Sequence, residues 1–201
     1  MKQWASLTIN SVQAMPGTHN ELIEASAWVK RFASAIPQEG LVLDLACGSG
    51  RNSLYLANLR YSVLAVDRDT TSLEFLKLPL IQTQTLDLEG EVWPLANHQF
   101  AGIVVTNYLY RPFLDLLPEM LVDDGVLIYE TFALGNAEFG KPSNPNFLLN
   151  PGELLALAQA HGLRVLSYED IYVDHPKPAM IQRLCAVKGG LKGRIPLQFV
   201  G

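Results

Sequence analysis

The chain has 201 residues, a length that suits one domain with its own hydrophobic core. Apolar residues make up 49% and charged residues 17%, which excludes disordered, collagen-like and low-complexity classes. The net charge is −5 and the 15 Lys and Arg are dispersed, so no basic stripe offers a nucleic acid an electrostatic footprint.

Apolar stretches such as Ala101 to Val105 fall well short of the roughly 20 residues that cross a bilayer. Gln3, Ser6, Thr8, Asn10 and Ser11 break up any leader of the secretory type. Two cysteines, Cys47 and Cys185, form neither a disulfide framework nor a metal set and fit a reducing compartment. These features predict a single cytoplasmic domain over residues 1–201.

Thr18-His19-Asn20-Glu21 has the form of a capping box, with Leu22, Ala25, Val29, Phe32 and Ile36 following at helical spacing. Residues 1–38 therefore read as an N-terminal segment and a helix ending before Pro37. Leu41 to Ala46 predict a strand, then Gly48-Ser49-Gly50 a turn, and Ser53 to Asn58 a helix. Ser62 to Val66 predict a second strand closing on Asp67, after which Asp69 caps a helix to about Lys77. Leu80 to Leu86 predict a third strand ending at Asp87.

Ala101 to Thr106 and Val126 to Tyr129 are near-continuous apolar runs, the pattern of strands covered on both faces. Between them Pro112 to Val122 carry helical spacing. Thr131 to Asn150, about twenty residues rich in Gly, Asn, Pro and Phe, exceed an ordinary connection and form a candidate lid loop over residues 131–150. Asn150-Pro151-Gly152-Glu153 predict a capped helix to about His161, and Arg164 to Val173 and Ile181 to Val187 the last strands. Repeated alternation of strand and helix implies an α/β fold, a doubly wound and mostly parallel sheet with helices on both faces.

In such sheets ligands bind outside the carboxyl ends of the strands where the winding reverses. Those positions here are the Asp44 to Gly50 turn, Asp67, Asp87 and Asn107. Gly48 and Gly50 allow a sharp bend and a close approach to a ligand, with helix N–H groups following. A dinucleotide fits less well, because Gly48-Ser49-Gly50-Arg51-Asn52-Ser53 lacks the third glycine of that fingerprint. Asp44 would also repel a pyrophosphate, whereas a ligand bearing an ammonium and a sulfonium suits it. The sequence thus points to S-adenosylmethionine, with S-adenosylhomocysteine as its product.

Val42-Leu43-Asp44-Leu45-Ala46-Cys47-Gly48-Ser49-Gly50 resembles motif I of class I S-adenosylmethionine-dependent methyltransferases. Gly50-Arg51-Asn52-Ser53-Leu54-Tyr55-Leu56-Ala57 and Thr18-His19-Asn20-Glu21-Leu22-Ile23-Glu24-Ala25 are similar to the tellurite-resistance-type members. The resemblance implies a Rossmann-like seven-stranded sheet with an antiparallel final strand, and methyl transfer as the activity. It implies that Ala46, Cys47, Gly48, Ser49 and Gly50 line the cofactor and that Asp67 takes both ribose hydroxyls. Asp87 would receive the adenine amino group, with Leu88 and Arg68 over the ring faces, and Asn107 and Tyr108 would hold the methionine ammonium through backbone carbonyls.

Methyl transfer from a sulfonium needs alignment and exclusion of water, and no covalent nucleophile. Cys47 inside the glycine turn reads as a small filler, and Cys185 as core. Asn107-Tyr108-Leu109-Tyr110 departs from the proline-bearing motif of base-methylating enzymes, which favours a small molecule or soft anion as acceptor. Tyr110, Arg111, His175 and Arg183 are the candidate catalytic residues, with Phe132, Phe139, Lys141 and Phe147 on the acceptor side. His175 and Arg183 resemble the polar pair of the tellurite-type enzymes, but Pro176 stands where that family carries an Arg. A non-catalytic cofactor-binding module and an RNA or protein methyltransferase docking through Lys188, Lys192 and Arg194 are the alternatives.

Overall fold

The computed structural model describes residues 24–71 and 78–189. Seven strands form one sheet: β1 (Leu41–Leu45), β2 (Ser62–Asp67), β3 (Ile81–Thr85), β4 (Phe100–Thr106), β5 (Leu121–Phe132), β6 (Leu163–Val173) and β7 (Ala179–Lys188). Their spatial order is β3-β2-β1-β4-β5-β7-β6. The first five pair in parallel, and β7 runs antiparallel between β5 and β6. The winding reverses between β1 and β4, which places a crevice at their carboxyl ends.

The helices are short: α1 (Ala27–Phe32), α2 (Arg51–Asn58), α3 (Leu116–Glu119) and α4 (Glu153–Ala160). On one face Val42, Val63, Val104, Val126 and Ile128 pack against Trp28, Val29, Phe32 and Leu56. On the other, Leu43, Leu45, Leu64, Ile103 and Leu127 pack against Trp93, Leu117, Leu154 and Leu157. Every residue of β4 is buried, as its unbroken apolar run requires.

Several boundaries differ from the sequence reading. The helix predicted from Thr18 begins at Ala27, capped by Ser26, whose hydroxyl accepts from the Trp28 and Val29 N–H groups; the capping box itself lies outside the described residues. A 3₁₀ turn over Ala33–Ala35 then ends it before Pro37, as expected. The helix predicted after Asp69 also falls largely outside the described residues. Pro112 to Val122 yield a 3₁₀ turn at Arg111–Phe113 and a single turn of α3, because Leu121 is drawn into β5 opposite Phe100. The strand predicted over Val126 to Tyr129 extends from Leu121 to Phe132. The last helix starts at Glu153 with Gly152 in the left-handed region at its cap, two residues beyond the predicted Asn150 cap. The Glu153 carboxylate still reaches back to the Asn150 N–H at 2.7 Å, the reciprocal half of a capping box.

Candidate cofactor and acceptor site

The Ala46 to Gly50 turn leaves the carboxyl end of β1 with Ala46, Gly48 and Gly50 all at positive φ. The two glycines take this conformation without penalty, whereas Ala46 is held there by its surroundings. A Cβ added at Gly48 would meet no described atom within 4 Å. The glycines put no side chain between this bend's main chain and a ligand.

Asp67 ends β2 beside that bend. Its carboxylate accepts from the Gly48 N–H at 2.8 Å and from the Asp69 N–H at 3.2 Å. These two bonds fix its rotamer, and each oxygen keeps a lone pair for a further donor. Asp87, after β3, is exposed and accepts from the Glu89 N–H at 2.9 Å in an Asx turn, while Leu88 is buried beside it and Arg68 is exposed. Asn107 ends β4 in the left-handed region, and its N–H donates to the Glu130 carbonyl at 2.9 Å. The Tyr108 hydroxyl donates to the Leu88 carbonyl at 3.3 Å, and the Tyr108 carbonyl accepts from the Tyr129 hydroxyl at 2.8 Å. The strand ends singled out in the sequence thus meet along one edge of the sheet.

Asp44 sits deeper than the sequence suggests. It is fully buried, one oxygen taking a 2.5 Å hydrogen bond from the Ser53 hydroxyl and the other having no partner among the described residues. Burial pushes its carboxyl up to about 6, against the Ser53 hydrogen bonds and the nearby Arg51, which favour ionisation. Cys47 is likewise buried, and desolvation followed by the Asp44 charge drives its thiol upward. It is no nucleophile, as its place in the turn implies.

The acceptor-side candidates are redistributed. Arg111 donates to both oxygens of Glu153 (2.7 and 2.9 Å) and to the Asn146 and Leu148 carbonyls (2.7 Å each). It is a clamp that joins the end of β4, the 133–150 loop and the start of α4. Burial alone would raise the Glu153 carboxyl, but its Arg111 and Asn150 hydrogen bonds outweigh that and hold it below the usual range. Arg111→Ala is expected to lower stability by about 2 kcal/mol, the scale of a lost charged hydrogen-bond set at a partly exposed site, while ligand affinity stays within about threefold. Urea unfolding with a parallel binding titration checks this, and lost affinity at full stability would return Arg111 to the site.

Tyr110 turns its hydroxyl to the Glu89 carbonyl at 3.1 Å and its ring to Phe113, so it straps the segment after β4 to the one after β3. Arg183 lies 2.6 Å from Glu130 and 3.2 Å from Glu169, over the Trp28 ring at 5.6 Å. The close Glu130 approach is an ion pair without hydrogen-bond alignment at Nε. His175 stands on the hairpin between β6 and β7 with its side chain 90% exposed, 4.0 Å from Asp174. The predicted His175 and Arg183 pair does not assemble: Arg183 lies within β7, opposite Glu130, while His175 precedes that strand.

The long loop is tied down at its roots by Leu149 to Phe132, Ala133 to Met180 and Gln182 to Asn150 hydrogen bonds. Phe139 packs at a tilt against Tyr172 and is 42% exposed, Phe147 is 44% exposed, and Lys141 is exposed. Lys188 is committed to the Glu119 and Leu121 carbonyls (3.1 and 2.7 Å), and Lys192 and Arg194 lie outside the described residues. A cavity of about 300 Å³ is lined by Ala57, Asn58, Arg60, Leu78, Pro79 and Leu80 at the opposite, amino end of β2 and β3, away from these groups.

Residues 11–105, with the glycine turn and Asp67 inside them, match the family described as Tellurite resistance protein TehB. The chain is similar to the TehB-type methyltransferases. TehB from Haemophilus influenzae superposes on 85% of the chain with a TM-score of 0.67 at 22% identity, the match spanning 64% of that protein. The 1,6-didemethyltoxoflavin-N1-methyltransferase of Burkholderia thailandensis, solved with S-adenosylhomocysteine, covers 85% of the chain and 80% of its own at a TM-score of 0.62 and 18% identity. YqeM of Bacillus subtilis (strain 168), classed by name with the methyltransferases, is 29% identical over 107 residues, which is 48% of this chain and 43% of that protein. The methyltransferase-like sheet with its antiparallel β7 bears out the fold expected from the motifs. Among the described residues no helix is long and apolar enough to cross a membrane.

The signal that sequence reasoning missed is a polar layer, buried at Ser26, Asn52 and Thr106 and half-buried at Glu130 and Arg183, over the face that carries α1 and α2. It comprises Ser26, Asn52, Thr106, Glu130 and Arg183, with Glu169 and Arg31 at its margin. Polar residues at the end of β4 and near the end of β5, Thr106 and Glu130, are its trace in the sequence.

Proposed function

We propose that the protein is a cytoplasmic S-adenosylmethionine-dependent methyltransferase acting on a small-molecule acceptor. The observation that carries this reading is the Asp67 carboxylate, anchored 2.8 Å from the Gly48 N–H beside a bend of glycines without side chains. Two oxygens so placed suit the vicinal hydroxyls of a ribose. The exposed Asp87 suits an adenine amino group, with Leu88 and Arg68 at hand for the ring faces. Asn107 and Tyr108 offer carbonyls to an ammonium, and the ionised Asp44 behind the turn adds a field that favours it. The unpartnered Asp44 oxygen is the kind of buried group that a bound cation or a bridging water compensates.

The cofactor supplies an electrophilic methyl group on a sulfonium. The chain's residues bind, align and exclude water, so no side chain needs to act as a nucleophile. The charge pattern favours an uncharged acceptor over an oxyanion. Arg183 is matched by Glu130 and Glu169, Arg111 is spent on Glu153 and two carbonyls, and His175 stands out in solvent. An anion there would compete with carboxylates already in place.

At a ligand concentration 100 times the dissociation constant, binding to the folded state alone adds about 2.7 kcal/mol of stability. Thermal unfolding with S-adenosylmethionine or S-adenosylhomocysteine should therefore shift by several degrees, and no shift with either ligand overturns the reading. An S-adenosylhomocysteine-release assay across thiols, phenols, amines, selenite and tellurite then tests the acceptor, with turnover expected on the uncharged compounds.

A further inference from the structure

A ring of polar contacts, buried except at Glu130, joins the two walls of the proposed cofactor cleft. Asn52 lies two residues beyond Gly50, in the first turn of α2, and is 1% exposed. Its Nδ2 donates to the Thr106 hydroxyl at 3.0 Å, and its Oδ1 accepts from the Ser26 N–H at 3.0 Å. Thr106 is 8% exposed and immediately precedes Asn107. Ser26 closes the ring by donating from its hydroxyl to Glu130 at 2.9 Å, while the Glu130 carbonyl receives the Asn107 N–H.

We propose that Asn52 and Thr106 are positioning residues, whose hydrogen bond sets the spacing between the glycine turn and Asn107. The inference rests on the cofactor reading above. The turn and Asn107 come from β1 and β4, whose ladder ends at Leu45 and Val105. Beyond that point no ladder bond couples β1 to β4, and the Asn52 to Thr106 bond takes over. Both partners are shielded from water, so neither can exchange the bond for solvent. A ligand whose amino-acid portion must lie between the turn and Asn107 is sensitive to that spacing, because alignment tolerances are fractions of an ångström. Adenosine, gripped only from the Asp67 and Asp87 side, is not.

Two probes separate this role from a general loss of stability. Titration calorimetry of Thr106→Val should give an S-adenosylhomocysteine dissociation constant raised about tenfold, with adenosine binding unchanged. Thr106→Ser, which keeps the hydroxyl, should restore the wild-type value. Asn52→Ala provides the same comparison from the other partner if the valine variant does not fold. A parallel loss for both probes, or unchanged S-adenosylhomocysteine affinity in Thr106→Val, overturns the proposal. If wild type binds neither probe, it is the cofactor reading that fails.

Discussion

Asp67→Ala is expected to weaken S-adenosylhomocysteine binding by at least about 100-fold. A carboxylate that receives two hydroxyls makes two charge-assisted hydrogen bonds, each worth roughly 1.5 kcal/mol or more, and 1.4 kcal/mol is a factor of ten. The alanine also frees the Gly48 and Asp69 N–H groups, whose 2.8 and 3.2 Å bonds to Asp67 shape the bend. Asp67→Asn retains an acceptor for one of these but replaces the other oxygen with a donor, so it should fall between wild type and alanine. Titration calorimetry reads both variants, and wild-type affinity in Asp67→Ala rejects the ribose assignment.

Asp44→Asn should separate stability from binding. The wild-type carboxyl is raised from 3.8 to about 6 by burial, so folding makes protonation easier while leaving it mostly ionised at neutral pH. A carboxyl raised on folding contributes its full stability below 3.8 and loses it as pH climbs through 6. A shift of about two units corresponds to about 3 kcal/mol. The stability of Asp44→Asn relative to wild type should therefore rise by about 3 kcal/mol between pH 3.5 and pH 8, whatever the offset at either end. Affinity for the cofactor should move the other way. A bound ammonium favours the ionised carboxyl, so wild-type binding weakens below pH 6, and the asparagine variant binds poorly and loses that dependence. Denaturant unfolding and titration calorimetry across this range test both, and parallel stability curves for the two proteins would remove Asp44 as the titrating group.

The fold was legible where the local signals were strong. The apolar runs of β1, β2 and β4, the glycine turn and the acids at strand ends specify a doubly wound sheet, because each strand must be covered on both faces and each bend needs a residue tolerant of positive φ. Legibility failed where tertiary contacts overrode local preference. Helical spacing after Pro112 did not make a long helix, since Leu121 gains more by pairing in β5. The cap of α4 moved because Gly152, not Asn150, takes the left-handed conformation next to Glu153. On the acceptor side, residue types gave chemistry without partners. Arg111 and Arg183 look available in a string of letters, and only folding brings Glu153, Glu130 and Glu169 against them.

The Arg111 clamp reaches the long loop through the Asn146 and Leu148 carbonyls, and so it holds main chain alone. Grip of this kind is indifferent to what the loop's side chains are. Apart from Asn144, whose side chain caps the turn at Asn146, and Phe139 against Tyr172, the tip from 137 to 145 can exchange side chains without slackening this clamp. Under the proposed function, such a scaffold would let a lineage retune which compound it accepts while the nucleoside end of the cleft stays as it is.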